Sequence, residues 1–275
     1  MQFLLDTDMT PAQVLAHLDP KLRAIGDSLM QRQPACAVGD ALALRRTLDH
    51  ACAWAHAALE PLLLELDPAL PLAQPGIRPQ QLRAEYPAYW LFDPIDGAVQ
   101  YLHGLPLWTM TLALLVDGRP VLAWVYHAAL GMLYCASQGG GVAGNTKSLS
   151  VTPQSDLAMA FLGTSFPNYP PRPQQEVGAF LRRLSSVVPL VLAQRWMGPA
   201  SLSLCQLAAG QLHGYWEQGS SLYDWLPGML IASEAGAIVT GLDGCELNWM
   251  SDGILAVTPL LQPALLQALD GAVGV

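Results

Sequence analysis

Charge is scarce in this chain: only 13% of its 275 residues are Asp, Glu, Lys or Arg, and acids outnumber bases 22 to 13, for a net charge of -9. That balance, with no dense basic patch, excludes nucleic acid and anionic membrane as expected partners. Paired cysteines are missing as well. Cys36, Cys52, Cys135, Cys205 and Cys245 are odd in number and scattered, without Cys-x-x-Cys spacing, so they read as buried thiols of a reducing compartment. The start, Met1 to Thr10, carries Asp6 and Asp8 and lacks a basic segment followed by an apolar one, which predicts no secretory signal. No stretch is built to span a bilayer, since Pro120 to Thr146 is interrupted by His127, Gln138 and Gly139-Gly140-Gly141. The cytoplasm is the expected location. Neither an internal repeat nor a low-complexity tract is visible.

What the chain has in abundance is apolar surface: 52% of residues are hydrophobic, enough for a large core. Helical spacing of Leu and Ala predicts helices over Pro11 to Met30 and Ala41 to Leu66, the second with Arg45, Arg46 and Asp49 on its polar side. The segment from Asp67 to Pro87 holds five prolines and no clear period, and is expected to be an irregular connection. Thr109 to Val116, Val121 to His127 and Met132 to Ala136 read as an antiparallel meander joined through Asp117-Gly118-Arg119-Pro120 and Ala128 to Gly131.

Beyond Pro153 short strands alternate with helices, which predicts a mixed α/β half. Strands are expected at Ala160 to Gly163, Val188 to Leu192, Gly214 to Glu217, Ala237 to Thr240 and Ile254 to Val257. Helices are expected at Gln175 to Ser186, Pro199 to Ala209 and Trp225 to Ala235. One domain over 1–275 is expected, with sub-halves of about 1–152 and 153–275.

The most informative segment is Asp93-Pro94-Ile95-Asp96-Gly97, directly behind the apolar run Tyr89-Trp90-Leu91-Phe92. A strand ending in Asp, with a second Asp three residues on, can aim two carboxylates and the Ile95 carbonyl at one hard cation. Gly97 and Ala98 then open a short helix whose free N–H groups suit a phosphate. The same residues also serve as ordinary turn and cap residues. Asp224, expected just before a helix with Pro227 in its first turn, is either an N-cap or a third carboxylate for the same cation. His103, His127 and His213 lack metal-ligand spacing. Ser165 and Ser201 lie in no nucleophile elbow. Seven tryptophans (Trp90, Trp108, Trp124, Trp196, Trp216, Trp225 and Trp249) fall mostly in apolar runs and read as core.

Asp93-Pro94-Ile95-Asp96-Gly97 resembles the first signature of the inositol monophosphatase family, Asp-Pro-Ile-Asp-Gly-Thr. Asp224-Trp225-Leu226-Pro227-Gly228 is similar to the second, although the order here is Tyr223-Asp224-Trp225 where that family has Trp-Asp. Gly139-Gly140-Gly141-Val142-Ala143-Gly144-Asn145 and Arg195-Trp196-Met197-Gly198-Pro199-Ala200 resemble two further family segments. The four matches run in order from Trp90 to about Val239.

The resemblance implies an α/β (α+β) fold, a five-layer α/β/α/β/α sandwich of the inositol monophosphatase and fructose-1,6-bisphosphatase type. It implies a magnesium-dependent phosphomonoesterase for a small hydroxyl-rich phosphate such as an inositol or sugar phosphate, and a homodimer. Asp93, Asp96 and Asp224 inherit the catalytic, magnesium-binding role, with the Ile95 carbonyl as a fourth ligand. Gly97, Ala98, Gly198 and Ala200 inherit phosphate or substrate contacts. Glu217 falls where the family places a carboxylate for substrate hydroxyls; the bland alternative is a solvated charge at a strand end.

Two departures cut against activity. The signature threonine that helps orient water is Ala98, and the upstream glutamate has no counterpart in Leu72-Ala73-Gln74-Pro75-Gly76. Glu85, Glu65, Glu60 or Gln74 are the candidate replacements, Glu85 first. One magnesium site is expected to survive and the second or third to be weakened. Pro199 also removes an N–H from the Gly198 turn. The alternatives are a non-catalytic descendant that keeps a cation or phosphorylated ligand, and a phosphatase for a nucleotide or bisphosphorylated sugar.

Overall fold

A computed structural model describes residues 9–37, 39–73, 86–145, 147–167, 171–219 and 222–270. Two long helices open the chain, α1 (Pro11–Arg32) and α2 (Ala41–Leu66). Thr10 and Gln13 close a reciprocal capping box on α1, and the Asp40 side chain caps α2. β1 (Ala88–Asp96), the short α3 (Ala98–Leu102), β2 (Thr109–Val116), β3 (Arg119–His127), β4 (Met132–Ser137), β5 (Gly141–Gly144) and β6 (Lys147–Ser148) follow. These six strands form one antiparallel sheet in sequence order. The β2–β3 hairpin turns on Asp117 and Gly118, both at positive φ, the two-residue turn whose twist matches the flanking strands.

The second half builds a five-stranded mixed sheet in the order β10-β11-β9-β7-β8, from β7 (Phe161–Ser165), β8 (Ala193–Trp196), β9 (Gly214–Gln218), β10 (Ile238–Thr240) and β11 (Gly253–Val257). Its helices are α4 (Gln174–Val187), α5 (Ala200–Ala208), α6 (Leu222–Glu234) and α7 (Gln262–Asp270). The strand expected at Val188 to Leu192 is displaced: Val188–Leu190 is a single 3-10 turn continuing from α4, and the strand begins at Ala193. Pro189 is tolerated at the start of that turn, and pairing waits for the residues beside β7. Helix α7 follows the last predicted strand and carries a short apolar face that the sequence reading left out.

Strand alternation sets the layers. Trp90 and Phe92 face the cluster formed with α1 and α2. Tyr89 and Leu91, on the opposite face, join Leu204 and Leu207 of α5, Leu226 of α6, and Tyr215, Ile254 and Ala256 of the second sheet. Trp216, Leu255 and Val257 then face Phe180 of α4 and Leu265 of α7. The order is therefore α1/α2, first sheet, α5/α6, second sheet, α4/α7: the expected α/β/α/β/α sandwich. The middle pair is in close contact, since a Cβ on Gly228 of α6 would come within 2.8 Å of Leu204 on α5.

Five tryptophans (Trp90, Trp108, Trp124, Trp216 and Trp225) are fully buried, as core residues should be. Trp196 is not: it lies on the edge strand β8 and is 57% exposed. Of the cysteines only Cys205 is buried, while Cys36 and Cys245 are exposed, and all five are free thiols. Among the described residues no helix is long and apolar enough to cross a membrane.

Candidate active site

Residues three apart on a regular strand point to opposite faces, so Asp93 and Asp96 would be separated by the sheet. A bulge prevents this. Asp93 pairs with Thr111 and Asp96 with Thr109, so three steps on β1 span two on β2. The extra residue around Pro94 returns both carboxylates to the face that Thr109 and Thr111 share. The Ile95 N–H donates to Asp93 Oδ1 at 3.0 Å and fixes the first carboxylate. Gly97 then turns the chain at φ 99°, where an added Cβ would come within 3.0 Å of the Leu107 carbonyl. α3 starts at Ala98 and runs for five residues, so its dipole is slight and its free N–H groups are what it offers.

Asp96 Oδ2 accepts the Ser201 hydroxyl and, at 3.2 Å, the Ser201 N–H. The Ser201 Oγ lies 2.6 Å from Thr109 Oγ1, so the strand and helix hydroxyls meet beside the carboxylate. Ser201 is the second residue of α5, and Asp96 thereby caps a helix of the central layer from the neighbouring sheet. Both Ser201 and Thr109 are buried. Sequence reading missed them as site residues; the available signal was a hydroxyl in the first turn of a helix whose preceding residue, Pro199, cannot cap with its side chain. The proline leaves the Ser201 N–H in place, and Asp96 takes it.

Asp224 stands in the first turn of α6. It is not the N-cap, because the helix already includes Leu222 and Tyr223, and Pro227 consequently lies one turn inside the helix. The three aspartates converge electrostatically. Asp96 is pushed well above the usual carboxylate range, by burial first and then by the charges of Asp93 and Asp224. Burial raises Asp93 to about 6, opposed by the Ile95 N–H. Among the described residues no salt bridge reaches Asp93 or Asp96. The carboxylates nonetheless stop short of a closed cage: among the described residues no group of three His, Cys, Asp or Glu stands at ligand spacing.

Glu217, on β9, is 2% exposed, so it is no solvated strand-end charge. Its Oε2 accepts the Ser165 and Tyr215 hydroxyls, and its Oε1 accepts Trp225 Nε1 at 3.3 Å. Burial raises its pKa while these three donors lower it. Gly198 and Ala200 flank Pro199 at the start of α5, with Gly198 close to Gln100 of α3.

The glycine-rich turn is held from within. Gly139 and Gly141 donate their N–H groups to the two carboxylate oxygens of Glu234, the last residue of α6, at 2.8 and 2.9 Å. His127 Nε2 lies 2.8 Å from the Pro106 carbonyl and His213 Nδ1 accepts the Phe161 N–H, so both are structural, whereas His103 is exposed. Glu60 and Glu65 lie on α2. Gln74 and Glu85, the other replacements considered for the missing glutamate, lie outside the described residues.

The fold and the acidic turn together define a class: a five-layer sandwich in which a bulged strand end of the first sheet delivers two aspartates to the start of the central helices. The chain belongs to the inositol monophosphatase family, which it matches over residues 74–273. It is 34% identical over 180 residues to "Inositol-1-monophosphatase" of Mesorhizobium japonicum, a match spanning 66% of this chain and 66% of that relative. It is 35% identical over 178 residues to "Nus factor SuhB" of Vibrio cholerae, covering 65% of this chain and 66% of that one. The matched region thus spans about two thirds of the length of these relatives. Among solved structures, Mycobacterium tuberculosis SuhB superimposes with a TM-score of 0.78 at 28% identity, covering 97% of this chain and 99% of that one.

Proposed function

We propose that the protein is a slow, magnesium-dependent phosphomonoesterase for a small phosphate, working at the turn between β1 and α3. The observation that carries this reading is the shared field of Asp93, Asp96 and Asp224. Burial raises the proton affinity of Asp93 and Asp96, the charges of Asp93 and Asp224 raise that of Asp96 further, and among the described residues no salt bridge offsets Asp93 or Asp96. Such a donor set, with the Ile95 carbonyl that the family resemblance adds as a backbone ligand, suits one hard divalent cation. When bound, that ion supplies Lewis acidity toward the phosphate and lowers the pKa of a coordinated water.

The chain's own groups do the rest. Gly97 and Ala98 present the first free N–H groups of α3 to the phosphate. Ser201 and Thr109 hold Asp96 in one rotamer. Ala98 has no hydroxyl with which to orient or deprotonate water, and losing a positioned base typically costs a factor of about 10² to 10⁴ in rate. Net charge of -9 leaves neutralisation of the phosphate to the cation.

The names of the relatives point to inositol phosphates as the first substrates to try, with sugar, nucleotide and bisphosphorylated sugar phosphates beside them. Purified protein in millimolar magnesium should release phosphate from at least one member of that panel, and Asp93→Asn should abolish the release. No release from any member, with Asp93→Asn indistinguishable from the parent, would overturn the enzyme reading.

A second reading, a cation-binding descendant without turnover, is favoured by the Ala98 methyl group and by the lack of an acid in Leu72-Ala73-Gln74-Pro75-Gly76. The Nus factor name of the Vibrio cholerae relative shows that a similar chain carries a name other than phosphatase. Calorimetric magnesium binding that Asp96→Asn removes, in a protein that hydrolyses nothing, would establish this second reading.

A further inference from the structure

The two sides of α3 differ in chemistry. Ala98, Val99 and Leu102 face α2 across an apolar cleft, and Tyr101 packs edge-on against Trp108 at 5.1 Å. Gln100 points the other way, about 200° round the helix from Ala98. Its Nε2 lies 3.5 Å from the position that a Cβ on Gly198 would take, so the side chain reaches from α3 to the turn before α5. That turn belongs to the acidic site. Three residues after Gly198, Ser201 gives Asp96 Oδ2 both its hydroxyl and its N–H. On the other side Gly198 approaches Ser165, whose Cβ lies 4.0 Å from the same position, and Ser165 donates its hydroxyl to Glu217.

The Gln100 amide is unpartnered: among the described residues no donor or acceptor bonds its side chain. Asp96, Gln100 and Gly198 are all half-buried, so water reaches the space between α3 and the start of α5. A carboxamide there has donors and an acceptor that only water satisfies, and a ligand hydroxyl can replace that water at little cost. Glu217, the carboxylate that resemblance assigns to substrate hydroxyls, is enclosed and already accepts three hydrogen bonds. Gln100 is open where Glu217 is closed.

In-line displacement puts the attacking water and the leaving alcohol on opposite sides of the phosphorus. With the phosphate at the turn between β1 and α3, and the water on the Ala98 side, the alcohol departs toward Gly198. We infer that Gln100 is a specificity-determining residue for that alcohol, its carboxamide hydrogen-bonding the hydroxyl on the carbon next to the ester oxygen. This rests on the phosphatase reading above for the phosphate end. The amide both donates and accepts, as a hydroxyl does, so one side chain can hold that hydroxyl in either sense.

The test compares hydroxyethyl phosphate with ethyl phosphate, two esters that differ by that one hydroxyl. In magnesium the parent should prefer the hydroxyethyl ester in kcat/KM by about threefold to tenfold, the worth of one hydrogen bond. Gln100→Met keeps the length of the side chain and removes the amide; it should shrink the ratio toward one, chiefly through KM. Val99→Ala, on the opposite side of the same short helix, should keep the parent ratio, which separates loss of the amide from disturbance of α3. A parent ratio of one, or a preference that survives Gln100→Met, overturns the inference and leaves the phosphatase reading intact.

Binding is read separately from turnover, by calorimetric titration of each ester in magnesium. If neither ester is hydrolysed, yet the parent binds the hydroxyethyl ester more tightly than ethyl phosphate by a margin that Gln100→Met removes, the phosphatase reading fails and the hydroxyl contact stands. Equal affinities for the two esters in the parent overturn it.

Discussion

At Ala98 a methyl group replaces the hydroxyl that the family signature carries, at the one residue joining the acidic turn to α3. Ala98→Thr restores the hydroxyl where α3 offers its N–H groups, and should raise kcat by about tenfold, the lower part of what a positioned group contributes. The gain should vanish when Asp93→Asn is added, which distinguishes a repaired site from a second one.

Asp93 gives a pH signature. Its folded pKa of about 6 is raised above the ordinary value of 3.8, so the folded state holds the proton more tightly than the unfolded chain between those limits. The stability linked to Asp93 is fully present below pH 3.8 and is lost as pH rises through about 6. Without divalent cation, denaturation of the parent should show a fall in stability across that window that Asp93→Asn lacks. Millimolar magnesium should reduce the fall by taking the place of the proton.

At the scale of elements, two carboxylates tie helix ends to strands and turns. Asp96 holds the start of α5, and Ser201→Ala removes both the hydroxyl bond to Asp96 and the contact with Thr109. A hydrogen bond to a charged group contributes about 1.5 to 3 kcal/mol. Ser201→Ala should therefore lower stability by about that amount in urea denaturation and lower kcat, because Asp96 is then free to change rotamer. Glu234 at the end of α6 holds the Gly139 and Gly141 N–H groups. Glu234→Ala should cost about 1 to 3 kcal/mol without a comparable change in kcat, since the glycine turn faces its own helix end and not the acidic turn.

For the molecule as a whole, the central layer decides whether the site exists. Asp96 comes from the first sheet, its partner Ser201 from α5, and Asp224 from α6, so their relation depends on how closely α5 and α6 cross. Gly228 permits that approach: a Cβ there would lie 2.8 Å from Leu204 and 3.2 Å from the Ser201 Cα. Gly228→Ala should destabilise the protein by about 1 to 3 kcal/mol through overpacking. Measured at a temperature where it remains folded, it should also lose magnesium affinity, because the helices bearing Ser201 and Asp224 are pushed apart. A full loss of stability with unchanged magnesium binding would separate packing from the site.

Much of this was legible in one dimension. Period-two alternation placed β2 through β4, the Asp117-Gly118 pair set their hairpin, and 3.6-residue spacing placed α1 and α2, all of which depend on neighbours in the chain. The Asp93 to Gly97 motif was legible for the same reason. Distance along the chain hid the rest: Ser201 reaches Asp96 across 105 residues, and the three donors that enclose Glu217 come from β7, β9 and α6. Trp196 reads as core by composition and is exposed because β8 lies at a sheet edge, which strand order alone decides. Local pattern determined which residues carry acid, hydroxyl and apolar surface. Only packing of the five layers decided which of them meet, because desolvation and charge coupling act through space and not along the backbone.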